Sequence, residues 1–338
     1  MDTSVALAAV KTEPRFGSAL ADHIQGFLAS KRALGFRVHN AEGLLAHLDR
    51  FLRALPREEQ RVSAEVLDRW LATRPSAGPG QRRTLRRWAR QLCQYIREHD
   101  STAFVPDLPE SERIPPPRPP YLYTPEEVGQ LLNAALRLPP AGSLRARTYH
   151  ALIALIYGGG LRVSEALNLN LGDFSEEQGL LLVRETKFYK TRWIPLAPSV
   201  AACLKDYIAI RAPNDPAPPD DDPLFINQHG RRCAYPTVQA TFLALLRRQG
   251  LRGPAGETGP RIHDLRHSFA VRRLTRWYEE GEDVQAKLPL LSTYLGHSSV
   301  LATQVYLTVT AELLRLGAQR FYAWRRSAMP SKEVSHAN

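Results

Sequence analysis

Apolar residues recur at intervals of three to four positions along much of the chain. In the first third they do so in four separate segments, at residues 20–34, 41–55, 63–71 and 82–97. This spacing places the apolar side chains on one face of an α-helix. The pattern therefore predicts a helical first domain at residues 1–104.

Proline-rich sequence follows the fourth helical segment. Prolines occupy positions 106 and 109 and five of the six positions from 115 to 120. Proline lacks the N–H that helices and central strands need, so we predict an extended linker at residues 105–122. Thr124, Pro125 and Glu127 then have the pattern of a helix N-terminus. This predicts a second domain at residues 123–326, followed by a flexible tail at residues 327–338.

The second domain is predicted to be mainly helical. Short apolar runs at residues 180–183 and 193–196 flank a polar segment that contains Lys187 and Lys190. Such a pattern is typical of two strands joined by a turn. The expected fold class is mainly α with a small β-sheet, in which an α-helical N-terminal domain precedes an α+β domain.

The balance of charges narrows the classes of partner. Lys and Arg number 45 against 34 Asp and Glu, a formal net charge of +11, and this surplus attracts polyanions such as nucleic acid. The longest apolar run, residues 151–157, is far shorter than the ~20 residues of a membrane span. Three widely spaced cysteines fit neither a disulfide framework nor a Cys-x-x-Cys zinc site. We expect a cytoplasmic protein without membrane partners or a metal site.

The fourth helical segment, residues 82–97, is strongly basic. Leu85, Trp88, Leu92 and Ile96 form one face, and six arginines without an acidic residue occupy the others. Like charges repel one another unless a polyanion neutralises them. We predict that this helix contacts DNA phosphates, and the alternative is a solvated surface helix. The arginines that this prediction assigns to DNA binding are Arg82, Arg83, Arg86, Arg87 and Arg90.

Reactive side chains concentrate in four separate stretches of the second domain. These are Gly-Leu-Arg-Val-Ser-Glu at 160–165, the turn with Lys187, His-Asp-Leu-Arg-His at 263–267, and Leu-Gly-His at 295–297 with Tyr306 nine positions later. Each stretch alone is a weak signal, since a His-x-x-Arg pair is commonly a surface or capping feature. Taken together and in this order, they resemble the tyrosine recombinases, the phage-integrase family of site-specific DNA recombinases. The resemblance covers about residues 123–324 and, in outline, the helical domain before them.

The resemblance implies an enzyme that cleaves and rejoins DNA strands through a 3′-phosphotyrosyl intermediate, without a metal, ATP or another cofactor. It implies that Arg162 and Arg266 bind the non-bridging oxygens of the phosphate and that His297 adds a hydrogen bond. Arginine suits this task because its planar guanidinium presents a fixed fork of donors.

The same resemblance assigns the remaining steps of the reaction. Tyr306 is the implied nucleophile, and its phenol must lose a proton because its ordinary pKa is about 10. His263 would accept that proton. Lys187 would protonate the leaving 5′ oxygen, with Lys190 as the alternative, because the turn lacks the glycines that flank the lysine in many members. Glu165 and His267 would support the site, and ordinary packing or capping is their alternative role.

The implied partner is double-stranded DNA, held by the two domains as a clamp. The resemblance further implies a homo-oligomer, a tetramer on DNA, with or without partner recombinases. The C-terminal segment at residues 312–326 would dock either on a neighbouring subunit or on its own domain. Residues 283–297 resemble transposon-borne members most, which favours transposition and integration. Two alternatives to the recombinase function are a type IB topoisomerase-like enzyme and a non-catalytic DNA-binding accessory protein.

Overall fold

The computed structural model describes residues 15–36, 38–107, 118–184, 191–211, 218–297, 299–308 and 311–328. The chain divides into two compact units, Met1–Arg118 and Pro119–Asn338. This division falls within the segment where the linker is predicted, residues 105–122. The prolines at 115–117 lie outside the described residues, and the exact domain boundaries stay a prediction.

Four α-helices form the described part of the first unit, and each coincides with one of the four predicted segments. They are α1 (Ala21–Ala33), α2 (His39–Arg53), α3 (Ala64–Ala72) and α4 (Pro79–Arg97). Ser63 caps α3, where its side chain accepts a hydrogen bond from the backbone N–H of Val66. The four helices bury one shared core that includes Phe27, Leu45 and Trp70. Each such side chain stabilises the unit by about 1.5–3 kcal/mol.

The second unit is mainly helical, as predicted. Its described helices are α5 (Pro125–Leu136), α6 (Leu144–Gly159), α7 (Val163–Leu167), α8 (Pro198–Arg211), α9 (Tyr235–Arg248), α10 (Asp264–Glu279), α11 (Val284–Leu295), α12 (Leu301–Gln304) and α13 (Ala311–Ala328). A 3-10 turn, Val305–Thr308, directly follows α12. None of the helices in the described part of the chain is long and apolar enough to cross a membrane.

The start of α5 has the predicted cap. The Thr124 side chain accepts a hydrogen bond from the backbone N–H of Glu127, whose carboxylate accepts one from the backbone N–H of Thr124. The preceding residue, Tyr123, is buried and donates its backbone N–H to the Ser268 hydroxyl at 2.8 Å. This bond ties the beginning of the unit to α10, which carries Arg266 and begins directly after His263.

Three short antiparallel strands form the sheet of the second unit. Strands β1 (Phe174–Ser175), β2 (Leu180–Val183) and β3 (Arg192–Pro195) pair in the order β1-β2-β3. Leu181 of β2 lies opposite Ile194 of β3, and both side chains are fully buried. The prediction contained β2 and β3 but missed β1, because two residues are too few to show an alternating pattern.

Helix α6 is the centre of the second core and leads directly to the candidate site. It packs against α5, α8 and α10, and its side chains Leu152 and Ile156 are fully buried. Gly160 ends the helix with a φ of +63°, a conformation that favours glycine. A Cβ atom there would lie 2.4 Å from the Phe269 ring. The turn therefore requires glycine, and it places Arg162 beside α10.

The C-terminal helix α13 packs on its own unit. It contacts α10 and the 3-10 turn that precedes it, and Leu313 is buried in the same core as Tyr306. Arg320 donates hydrogen bonds to the carbonyls of Gly281 and Glu282. Packing of α13 on its own unit is thus observed, and docking on a neighbouring subunit stays a prediction.

Candidate active site

Arg162 is held at the N-terminus of α7 by the carboxylate one helical turn later. Its Nη1 lies 2.6 Å from Oε1 of Glu165, and its backbone N–H donates to Oε2 at 3.0 Å. Its Nη2 donates to the carbonyl of Gly296 at 3.0 Å. The Gly296 carbonyl precedes His297 in the chain, so two of the four predicted motifs meet at this arginine.

Arg266 is almost completely buried, with 1% of its surface exposed. Its two terminal nitrogens donate to the carbonyls of Gly160, at 2.9 Å, and Leu295, at 2.6 Å. Burial, followed by the charge of Arg162, lowers the pKa of Arg266 to about 10. The guanidinium therefore keeps its positive charge at neutral pH.

Glu165 is a buried carboxylate that joins the arginines of the site. It binds Arg162 and Arg192, and its Oε2 lies 3.6 Å from Nη1 of Arg266. Burial by itself raises the pKa of Glu165, but hydrogen bonding and charge from Arg192, together with Arg162, outweigh burial and lower it. The carboxylate is therefore ionised at neutral pH. It contacts the guanidiniums of the arginines, which it orients, and has little contact with solvent.

Arg192 belongs to this cluster, although the sequence prediction did not include it. Its Nη2 lies 2.9 Å from Oε2 of Glu165, and its Nε donates to the carbonyl of Tyr294 at 2.7 Å. A Cβ atom at Gly296 would lie 2.6 Å from its Nη1. The first residue of β3 thus packs against the backbone that leads to His297.

His297 faces the arginines as a neutral imidazole. Its Nδ1 lies 2.7 Å from the hydroxyl oxygen of Thr303. Burial, then the charges of Arg266 and Arg162, lowers its pKa to about 4. At neutral pH the ring therefore carries one proton and can donate one N–H.

The Tyr306 side chain lies inside this group of residues and is 5% exposed. Its hydroxyl is 2.9 Å from Nδ1 of His267, and its ring stacks on that of His297 with centroids 6.2 Å apart. Burial raises the pKa of Tyr306, while the charge of Arg266 and a hydrogen bond from it act in the opposite direction. The phenol is therefore protonated at neutral pH.

The two histidines of the third motif lie one helical turn apart at the start of α10. Their rings are perpendicular, with centroids 4.8 Å apart. His267, which was predicted to have a supporting role, makes the direct hydrogen bond to Tyr306. His263 is exposed to solvent on one side, but partial desolvation, followed by His267 and Arg266, lowers its pKa. The assignment of His263 as proton acceptor stays a prediction.

Two further sets of residues were predicted to take part in catalysis or DNA binding. Lys187 and its alternative Lys190 lie outside the described residues, so the general acid stays a prediction. On α4, Arg86 pairs with Asp68 of α3 at 3.2 Å, and Arg90 pairs with Asp107 at 3.3 Å. The premise that the charges of this helix are unpaired is thus wrong for Arg86 and Arg90. DNA binding by α4 stays a prediction.

Sequence reasoning missed Arg192 and Thr303. A signal for Arg192 was present, because it shares a strand face with the buried Ile194, where an arginine is unusual. Thr303 gave no comparable signal, since a threonine in an amphipathic segment is common. Within the part of the chain that the structure describes, no group of three or more His, Cys, Asp or Glu side chains could hold a metal ion.

Comparison with known proteins places the chain in a family. The pattern of the phage integrase family matches residues 122–312. A putative integrase/recombinase, y4rB, from Sinorhizobium fredii is 37% identical over 301 residues, which cover 88% of this chain and 95% of that protein. The tyrosine recombinase XerA from Thermococcus kodakarensis is 34% identical over 215 residues, 62% of this chain and 67% of that protein.

Solved structures show the same fold at low sequence identity. The Tn1549 transposon integrase in complex with transposon right end DNA has a TM-score of 0.59 at 19% identity, covering 89% of this chain and 99% of that one. A lambda integrase dimer bound to a core site has a TM-score of 0.54 at 18% identity, covering 86% of this chain and 78% of that one. With its two arginines, histidines and buried tyrosine gathered at one place, the chain belongs to the phage integrase family of tyrosine recombinases.

Proposed function

We propose that this tyrosine recombinase cleaves DNA at specific sites with Tyr306 and rejoins the strands through a 3′-phosphotyrosyl intermediate. The observation that supports it most is the position of the Tyr306 hydroxyl, which lies beside His267, Arg266 and His297. The relatives reported above are named integrases and recombinases. This favours a recombinase over the topoisomerase-like enzyme and the non-catalytic accessory protein.

In this proposal Arg162 and Arg266 neutralise the phosphate during attack. A phosphodiester is anionic, and its reaction adds charge to the non-bridging oxygens, which positioned donors stabilise. The backbone carbonyls of Gly160 and Leu295 occupy two N–H groups of Arg266, and a guanidinium has five. A further N–H donates to the Tyr306 hydroxyl, and in this proposal the substrate phosphate accepts from the donors that are left.

Activation of Tyr306 requires a base, because burial raises the pKa of the phenol. We propose His263 as the acceptor of the proton, with His267 holding the phenol in place. The lowered pKa of each histidine keeps it neutral and able to accept a proton at neutral pH. His267 is the second candidate, because its Nδ1 contacts the hydroxyl directly.

The leaving 5′ oxygen needs a proton, and we propose Lys187 as its donor. Exchange of a phosphodiester for a phosphotyrosyl ester conserves the number of P–O bonds. Rejoining reverses the step: the attacking 5′ hydroxyl gives its proton to Lys187, and the leaving phenolate of Tyr306 takes its proton back from His263. The reaction as proposed therefore needs no ATP and no metal ion.

Recombination of two duplexes breaks and rejoins four strands, and each cleavage uses one tyrosine. We therefore propose a homotetramer on double-stranded DNA, with or without partner recombinases, acting in the cytoplasm where bacterial DNA lies. The XerH structures are of complexes with difH substrate, and the Tn1549 integrase structure holds transposon end DNA. These neighbours support DNA as the partner and transposition or integration as the setting.

Capture of the covalent intermediate tests the proposal. The purified protein is incubated with nicked duplexes made from the DNA that flanks its gene, and adducts are resolved by denaturing electrophoresis. Tyr306→Phe should bind the same DNA and form no adduct. Tyr157→Phe is the matched control, because it removes one hydroxyl that bonds to Arg272, and it should keep the adduct. An adduct with Tyr306→Phe would show that another residue is the nucleophile.

A further inference from the structure

Thr303 is a fully buried polar residue that the reaction scheme does not use. It lies on the short helix α12 between His297 and Tyr306, with none of its surface exposed. Its hydroxyl oxygen is 2.7 Å from Nδ1 of His297. Because this hydroxyl contacts a ring nitrogen, the direction of its hydrogen bond determines which nitrogen of the His297 ring carries the proton.

The direction of this hydrogen bond follows from the surroundings of the hydroxyl. Among the described residues, the Thr303 hydroxyl has Nδ1 of His297 as its hydrogen-bond partner. Burial of the Thr303 side chain excludes water as another partner. A buried donor without an acceptor costs free energy. The hydroxyl proton is therefore donated to Nδ1, which must be unprotonated to accept it.

A neutral imidazole carries its single proton on either Nδ1 or Nε2. Arg162, Arg192 and Arg266 surround His297 with positive charge and disfavour a second proton on the ring. An imidazolium would donate from both nitrogens, so no tautomer would need to be selected. The neutral ring donates from one nitrogen only. With Nδ1 accepting from Thr303, the proton resides on Nε2.

We propose that Thr303 is a positioning residue, which holds His297 in the tautomer that donates from Nε2 to the phosphate of the substrate. The inference rests on the proposed function, in which His297 contacts the phosphate. No described residue accepts a hydrogen bond from Nε2, so this N–H is available to the substrate. The opposite tautomer would present a lone pair to an anionic oxygen, which repels it.

The tautomer can be measured directly. The full-length protein is labelled with ¹⁵N-histidine, and long-range ¹H–¹⁵N correlation separates protonated from unprotonated ring nitrogens. His297 is assigned from the signals absent in His297→Gln. Wild type and Thr303→Ser should show a proton on Nε2, and Thr303→Val should show a proton on Nδ1 or a mixture. A proton on Nδ1 in the wild type, or an unchanged tautomer in Thr303→Val, would overturn the proposal.

The consequence for catalysis is measured on pre-bound suicide substrate in single turnover. Loss of one positioned donor to developing negative charge costs about 100-fold in rate. Thr303→Val should therefore cleave more slowly at unchanged DNA affinity, in proportion to the fraction of His297 that lacks the Nε2 proton and by up to about 100-fold, whereas Thr303→Ser should stay close to wild type. Equal cleavage by Thr303→Val and wild type would overturn the catalytic role.

A double-mutant cycle separates tautomer control from packing. The glutamine of His297→Gln donates through an amide that has no tautomer, so Thr303→Val should cause no further loss in that background. An equal loss in both backgrounds would mean that Thr303 acts through packing, and the proposal would fail. If the wild type formed no covalent adduct on any flanking DNA, the proposed function would fail, and the NMR measurement would still decide the tautomer.

Discussion

Arg192 donates to Glu165 through both of its terminal nitrogens, at 3.3 Å to Oε1 and 2.9 Å to Oε2. Both side chains are at least 92% buried, with exposed fractions of 8% and 5%. The pair links the first residue of β3 to Glu165 of α7, which also binds Arg162. It therefore connects β3, the strand that follows Lys187 in the chain, with the proposed phosphate-binding residues.

Removal of Arg192 should destabilise the fold as well as slow the reaction. Arg192→Ala removes buried hydrogen bonds to the Glu165 carboxylate, which keeps Arg162 as a partner, and a hydrogen bond to a charged group contributes about 1.5–3 kcal/mol. We expect Arg192→Ala to lower the free energy of unfolding in urea by that amount. Arg276→Ala is the matched control, because Arg276 pairs with Glu280 at the surface, with exposed fractions of 68% and 45%, and it should cost under about 1 kcal/mol. Equal effects of the two substitutions would contradict the structural role of the pair.

The lowered pKa of His297 predicts a dependence of stability on pH. Its pKa is about 4 in the folded protein and about 6.5 in the unfolded chain. Between these values the unfolded state binds the proton more readily, so stability is fully present above pH 6.5 and is lost as the pH falls toward 4. From pH 7 to pH 5, the free energy of unfolding should fall by about 2 kcal/mol more in wild type than in His297→Gln. The reverse order would mean that the folded protein does not disfavour the imidazolium.

The contribution of each histidine to activation of Tyr306 can be separated by substitution. A positioned general base accelerates a reaction about 10²- to 10⁴-fold. We expect His263→Gln to slow cleavage of pre-bound substrate by at least 100-fold, and His267→Gln to slow it about 10-fold through loss of the hydrogen bond to the phenol. A larger loss for His267→Gln would make His267 the proton acceptor.

Much of the fold could be predicted because its signals are local. The helices α1–α4 each bury one face, so apolar residues recur along the sequence with the helical period. The cap of α5 likewise depends on residues within one turn. Strand β1 gave no signal, since its two residues are too few to show an alternating pattern.

The candidate site was predictable only through the resemblance of its motifs. Arg162 and Arg266 are far apart in sequence, and only the fold brings both to the carboxylate of Glu165 and to the neighbouring carbonyls of Gly296 and Leu295. Arg192 reaches Glu165 across 27 positions. The direct contact between His267 and Tyr306 depends on how the 3-10 turn packs against α10. Such contacts between distant residues produce no pattern in the sequence from which they could be predicted.

The proposed general acid can be tested through the leaving group. A substrate with sulfur in place of the bridging 5′ oxygen releases a thiolate, which needs no proton. Lys187→Ala should therefore lose cleavage of normal DNA, by about 10²-fold or more, and recover most of it on the sulfur substrate. Lys190→Ala is the matched control and should show no selective recovery. If Lys190→Ala alone recovers on the sulfur substrate, the general acid is Lys190.

The basic helix α4 should contribute to DNA affinity without taking part in the chemistry. Arg87 is exposed on this helix, whereas Arg86 and Arg90 are already paired with acidic residues of their own unit. Each phosphate contact that releases a counterion contributes about −0.9 to the slope of log affinity against log salt.

Arg87→Ala should therefore flatten that slope by about 1 and weaken binding to specific and random DNA together. Arg57→Ala, at an exposed position on a 3-10 turn of the same unit, is the control and should leave the slope unchanged. Cleavage of pre-bound suicide substrate should remain close to wild type in both variants, because neither arginine belongs to the cluster around Tyr306. An unchanged slope in Arg87→Ala with normal folding would mean that this face of α4 is solvated, and DNA binding by the first unit would then depend on other residues.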